Sequence, residues 1–239
     1  MASHVWKKKT ALVTGVGPGT GKALVERFVE GGYRVGMIAR NEERLAAIAK
    51  EHGDAVLALP CDVTDTDALA GALAATKDAF GVPSVVIHNA VGGAFGDFTE
   101  IDPETLRQNF EVNTMALLEL ARRVTDDMVE NGGGALITTG NTSAYRGKAN
   151  FAGFAPSKAA QRILMESIAR SHGPKGIHAC FVAIDAVIDL EWTRARFADA
   201  PDDFFCKPAD IAGEVFHVAH QPRSAWTSDL MIRPFGETW

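Results

Sequence analysis

A run of small residues, Thr14-Gly15-Val16-Gly17-Pro18-Gly19-Thr20-Gly21, is the part of this chain best suited to chemistry. Glycines let a polyphosphate approach the backbone closely, and the amide groups at a helix N-terminus carry its charge. The flanks suit that use. Thr10-Ala11-Leu12-Val13 is an apolar stretch of strand length, and residues 22–29 are apolar at helical spacing until Gly31-Gly32. Strand, glycine-rich turn and helix together predict a dinucleotide site, with Gly15, Gly17, Gly19, Thr20 and Gly21 around the phosphates. The end of the next apolar run, Met37-Ile38-Ala39-Arg40, bears on which dinucleotide. An NAD site usually has an acidic side chain there for the ribose hydroxyls. Here Ala39 takes that place and Arg40 follows, whose guanidinium suits a 2′-phosphate. NADP is the expected cofactor.

The elements that must position such a site alternate along the chain. Strand-like runs at 34–38, 55–61, 84–88, 135–139, 177–184 and 229–232 are separated by amphipathic stretches at 42–51, 66–80, 102–130, 151–172 and 209–220. That alternation predicts an α/β fold: a doubly wound parallel sheet of about seven strands with helices on both faces. No linker or repeat breaks it, so residues 1–239 are expected to form a single domain. The least regular segment, 185–208, gathers Trp192, Phe197, Phe204 and Phe205 among charges. It lies beyond a strand's carboxyl end, where ligands of such sheets bind.

Composition narrows the partners. The 239 residues are 46% hydrophobic and 23% charged, with a net charge of −6, which argues against nucleic acid. No apolar run is long enough to cross a bilayer. Residues 1–10 are polar and basic through Lys7, Lys8 and Lys9, without a signal-peptide core. Cys61, Cys180 and Cys206 are odd in number and widely spaced, which suits free thiols in a reducing compartment; no metal-ligand spacing is present and no metal is expected. A cytoplasmic protein acting on a small molecule fits this profile.

The order of motifs resembles the short-chain dehydrogenase/reductase family over essentially the whole chain, which implies a Rossmann-like fold. The spacing Gly15-x-x-x-Gly19-x-Gly21 matches its glycine turn. Cys61-Asp62-Val63 resembles its adenine contact, and His88-Asn89-Ala90-Val91-Gly92 its segment after the fourth strand, departing at His88 and Val91. Asn113 falls where the family keeps an asparagine supporting the active site and a proton-relay water. The resemblance implies that Asn89 and Ala90 line the cofactor site, that Val187 and Ile188 offer backbone groups to the carboxamide, and that 185–208 is a substrate lid. It also implies a homodimer or homotetramer, with the long helices buried between subunits.

The catalytic segment departs from the family. There, Tyr-x-x-x-Lys lies on a helix, where residues i and i+4 share a face, with a serine roughly 13 residues before the tyrosine. The lysine holds the nicotinamide ribose and lowers the phenol pKa, and the tyrosine protonates the alkoxide. This chain reads Phe154-Ala155-Pro156-Ser157-Lys158. Lys158 is kept, Phe154 has no hydroxyl, and Asn141 stands at the serine position, in Gly140-Asn141-Thr142-Ser143. The family's Pro-Gly and following threonine become Ile184-Asp185 and Asp189. The remaining candidates are the hydrogen-bond donors Asn141, Thr142 and Ser143, the ionisable His88, Asp185 and Tyr145, and water held by Lys158 and Asn113. Asp185 and Asp189 read equally as caps of the following helix.

Three functions fit these residues. One is an NADP-dependent oxidoreductase with a substituted acid, or with a substrate that needs none, such as an imine, an activated double bond or a substrate carrying its own acid. Another is a catalytically impaired NADP-binding sensor or assembly subunit. The third is a lyase or isomerase on the same fold.

Overall fold

The computed structural model describes Trp6 and residues 8–237. Lys7 of the basic run and the terminal Thr238 and Trp239 lie outside the described residues. Strands β1 (Thr10–Thr14), β2 (Arg34–Ala39), β3 (Val56–Pro60), β4 (Val85–His88), β5 (Gly134–Gly140), β6 (Ile177–Ile184) and β9 (Asp229–Ile232) form one parallel sheet in the order β3-β2-β1-β4-β5-β6-β9. Two-residue strands β7 (Val187–Ile188) and β8 (Phe205–Cys206) pair separately. The central strands β1, β4, β5 and β6 are buried almost throughout, because helices cover both faces.

The helices are α1 (Thr20–Glu30), α2 (Glu42–His52), α3 (Thr66–Phe80), α4 (Pro103–Phe110), α5 (Ala116–Glu130), α6 (Ala155–His172), α7 (Glu191–Arg196) and α8 (Pro208–Ala219). One apolar cluster packs α1 and α8 on the sheet through Phe28, Val25, Val215 and Val218. The other packs α3, α5 and α6 through Leu69, Leu117, Leu120 and Met165. The chain order reverses between β1 and β4, which opens a crevice at their carboxyl ends. Among the described residues, no helix is long and apolar enough to cross a membrane.

Two helices differ from the sequence expectation. The span 102–130 is not one regular helix: α4 and α5 are joined by a π-turn at Glu111–Met115, centred on Asn113. The helix expected from 151 starts at Ala155, with Pro156 in its first turn and Phe154 in the capping position. Proline is tolerated there because that N–H has no intrahelical partner.

Candidate active site

The glycine turn is shaped by close backbone contacts. Gly15 has φ +70°, and a Cβ on it would lie 2.5 Å from the Ala90 backbone. A Cβ on Gly21 would lie 2.4 Å from the Gly15 carbonyl oxygen. Gly17 differs, since a Cβ there would meet nothing within 4 Å. The side of Gly17 that a side chain would fill is open. Asn89 secures the turn from the next strand: its Nδ2 donates to the Gly15 carbonyl at 2.9 Å, and its Oδ1 accepts from Thr139 at 2.8 Å.

Beyond the turn lies a cleft of about 620 Å³, lined by the sequence-expected Gly15, Gly17, Gly19, Thr20, Gly21, Arg40, Asp62, Val63, Asn89, Ala90 and Ile188. Three features make it fit a dinucleotide phosphate. Helix α1 has no side-chain cap and no acidic residue in its first turn. The Thr20 hydroxyl at that N-terminus is buried with no hydrogen-bond partner among the described residues. Gly17 leaves room for approach. Arg44 also lines the cleft, one turn into α2. Sequence reading passed over it, although its spacing from Arg40 puts two guanidinium groups near one helix start.

At the reaction end, Lys158 is 2% exposed, and burial pushes its amine down to about 7. Its Nζ lies 5.8 Å from the centre of the Phe154 ring, so the i, i+4 pair does share a face. Phe154 is buried, with Phe95 and Phe151 packed nearby at ring distances of 5.8 and 6.5 Å. Lys158 donates to Gln161 Oε1 at 3.0 Å, and Gln161 Nε2 donates to the Asn113 carbonyl at 2.8 Å. The Gln161 amide thus bridges Lys158 and the Asn113 carbonyl directly. That carbonyl lies within the π-turn at Glu111–Met115. The Asn113 side chain donates to the Gly92 carbonyl and to Ser157 Oγ and accepts from Gly92 N, clamping the loop after β4 against α6. Gln161, three residues past Lys158 on the buried face, is the polar residue that sequence reading missed.

The other proton-donor candidates are placed as follows. His88 is buried, and burial and then the nearby Lys158 charge push it down to about 3. Its Nε2 lies 3.0 Å from the Val112 carbonyl, which only accepts, so Nε2 carries the proton and Nδ1 accepts from Thr14 Oγ1. It is a satisfied neutral imidazole. Tyr145 donates to Asp229, which Arg162 Nε also contacts at 2.6 Å; the hydroxyl is therefore engaged at β9 rather than at Phe154. Asn141 Oδ1 accepts from the Ser143 backbone at 3.1 Å, holding the turn after β5. Ser143 itself is buried.

Neither aspartate caps α7. Its start is closed by the Thr193 hydroxyl, which accepts from Leu190 N at 2.9 Å. Asp189 pairs with Arg194 instead. Asp185 is 6% exposed and accepts from Thr142 Oγ1 at 2.9 Å. Val187 and Ile188 form β7, with Ile188 facing the cleft. In the 185–208 segment Trp192 is exposed and Phe205 is buried, with Phe204 packed between Phe197 and Phe205. Away from the cleft, Glu26, Glu51 and His52 converge closely enough to hold a metal, but the Lys22 ammonium already bridges the two carboxylates.

Sheet order, glycine turn and cleft define a nucleotide-binding α/β protein. The short chain dehydrogenase profile matches residues 9–194, and the chain belongs to that family. Sorbitol dehydrogenase of Cereibacter sphaeroides is 31% identical over 194 residues, spanning 80% of this chain and 76% of that protein. A metagenomic short-chain oxidoreductase solved with NADP is 26% identical, with TM-score 0.81 over 95% of this chain and 97% of its own. The 3-ketoacyl-(acyl-carrier-protein) reductase of Brucella melitensis, solved with NADH, shares the fold at 24% identity and TM-score 0.85, over 94% and 96%.

Proposed function

We propose that the chain is an NADP-dependent oxidoreductase with an atypical active site, in which Phe154 stands where the family has its acid. The cleft supports the nucleotide part of this reading. Gly15, Gly17, Gly19, Thr20 and Gly21 would hold the pyrophosphate, with the unpartnered Thr20 hydroxyl donating to it. Asp62 and Val63 would meet the adenine, and Asn89 and Ala90 would flank the ribose side. Lys158 would hold the nicotinamide ribose, and Val187 and Ile188 the carboxamide. Residues 1–239 would act as a single domain, with 185–208 closing over a small-molecule substrate. The two neighbours hold different nucleotides, so the choice of NADP rests on Arg40. It lines the cleft beside Arg44 at the end of β2, where Ala39 supplies no carboxylate.

Bound NADPH supplies a hydride. The chain's own residues would orient the acceptor beside it and exclude water, with Asn113 and Gln161 fixing Lys158. The observation that carries the atypical chemistry is the buried Phe154 ring on the Lys158 face, with Tyr145 and His88 both engaged elsewhere. A cofactor-oxidation screen over carbonyls, imines and enones, run beside calorimetric NADPH binding, tests the proposal. Binding with turnover of acid-independent substrates supports it; no NADPH binding overturns it.

A second reading, an NADP-binding sensor without turnover, draws on the Gln161 bridge. That bridge ties Lys158 into the fold, as a structural lysine would be tied. Binding without turnover of any screened class would favour it.

A further inference from the structure

Asp185 has no assigned role, and its environment is unusual for a carboxylate. It is 6% exposed, Oδ1 accepts from Thr142 Oγ1, and Oδ2 is buried with no hydrogen-bond partner among the described residues. It takes part in none of the ion pairs of those residues. A buried charged oxygen left without a donor is costly, so such a group usually serves something absent from the bare fold.

Its position says what that is near. Gly140 pairs with Ala183 across β5 and β6, and Asp185 N donates to the Ile232 carbonyl at 2.9 Å. The carboxylate therefore stands at the carboxyl end of β6, beside Asn141 and Thr142 just past the end of β5. Ligands of open α/β sheets bind beyond those ends. In the loop after β4 and just ahead of α6, the largely exposed Phe95 packs edge-on against Phe151 at 5.1 Å and near Phe154 at 5.8 Å. Aromatic faces and a carboxylate both favour a cation.

The geometry points to Asp185 as the anchor for a protonated nitrogen of the substrate, so that the substrate class is an iminium ion reduced to an amine. This rests on the NADP-dependent reading above and names its substrate class. It also accounts for the missing acid. A carbonyl oxygen becomes an alkoxide on reduction and needs a proton from the protein. An iminium nitrogen arrives already carrying its proton. Its carbon accepts the hydride from NADPH, the C=N π pair becomes the nitrogen lone pair, and NADP⁺ and a neutral amine result. The protein gives up no proton. Phe154 is then compatible with turnover, and Asp185 supplies the negative charge that favours the cation. Burial holds the Lys158 amine near neutrality, which limits repulsion of a cationic ligand.

The test needs no turnover. Calorimetry on the NADP⁺-loaded protein compares a cyclic secondary amine, protonated at pH 7, with its uncharged ring-oxygen isostere. A hydrogen bond to a charged group predicts the amine binding at least about tenfold tighter. Asp185→Asn should reduce that preference to near unity while leaving NADPH affinity within about twofold. Equal binding of amine and ether to the wild type overturns the proposal, even if the variant fails to fold. Asp185→Asn weakening NADPH binding without altering the amine preference also overturns it, and assigns the carboxylate to the cofactor's carboxamide. If NADPH itself does not bind the wild type, the nucleotide reading fails first, and the two failures are thereby told apart.

Discussion

If Phe154 stands at the family's acid position, placing a phenol there should give the site an acid. In Phe154→Tyr the new hydroxyl sits on a buried ring whose centre is 5.8 Å from Lys158 Nζ. Two charges about 6 Å apart at an effective dielectric near 20 interact by roughly 3 kcal/mol. That is about two pK units, enough to bring a phenol from about 10 to about 8 while the amine is charged. A general acid tuned to that range contributes about 10²–10⁴-fold. NADPH-dependent reduction of simple ketones, followed by loss of cofactor absorbance, should therefore rise by at least about 10² over wild type. The rate should fall off above about pH 7, as Lys158 loses the charge that tunes the phenol. Adding Asn141→Ser should raise it further, and Lys158→Ala should abolish the gain. A buried hydroxyl without a partner costs about 1–3 kcal/mol, so Tm of the variant should drop modestly. If Phe154→Tyr binds NADPH normally and reduces no ketone faster than wild type, Phe154 is not at the acid position. Rapid ketone reduction by the wild type, unchanged in Phe154→Ala, refutes the same claim from the other side.

Further predictions follow from single contacts. The fold holds Lys158 at about 7 against an ordinary 10.5, so the unfolded chain binds more protons between those values and wild-type stability rises with pH across that window. Lys158→Met should then be the more stable protein below pH 7, by up to about 5 kcal/mol, with the gap closing toward pH 10.5; denaturant melts at pH 6 and pH 10 that show equal gaps contradict this. Gly17→Ala should keep its Tm and lose nucleotide affinity by at least about tenfold, because its Cβ meets nothing in the bare protein. Gly21→Ala should instead lose about 1–3 kcal/mol of stability through the 2.4 Å contact with the Gly15 carbonyl. Exposed Met115 and Ile163, at the start of α5 and on α6, suit a two-fold interface between copies; light scattering should give a dimer or tetramer, and a monomer at micromolar concentration would contradict it.

The sheet was legible in the sequence because its buried strands are unbroken apolar runs, such as 177–184, and its turns are marked by glycines. The nucleotide cleft was legible for the same reason, since Gly15 and Gly21 answer to backbone contacts that admit no side chain. The reaction end was only partly so. Lys158 and Phe154 are four apart on one helix, and spacing alone pairs them. The π-turn around Asn113 was hidden, because apolar spacing over 102–130 does not mark where a single turn takes in one residue more. Gln161 read as an ordinary polar helix position, and only the fold shows that it faces the Asn113 carbonyl. Asp185 and Asp189 stood at cap spacing, yet Thr193 closes that helix, which leaves the carboxylates to other partners. Tyr145 looked free to enter the pocket until Asp229, distant in sequence, claimed its hydroxyl.

The central claim is that this cleft holds NADP through Arg40. Calorimetric titration of wild type and Arg40→Ala with NADPH and NADH tests it most directly. A charge-assisted contact to the 2′-phosphate is worth about 1.5–3 kcal/mol, so wild type should prefer NADPH by roughly 10–150-fold. Arg40→Ala should lose most of that preference while binding NADH as before. Equal affinities in the wild type, or a preference that survives Arg40→Ala unchanged, would contradict the account.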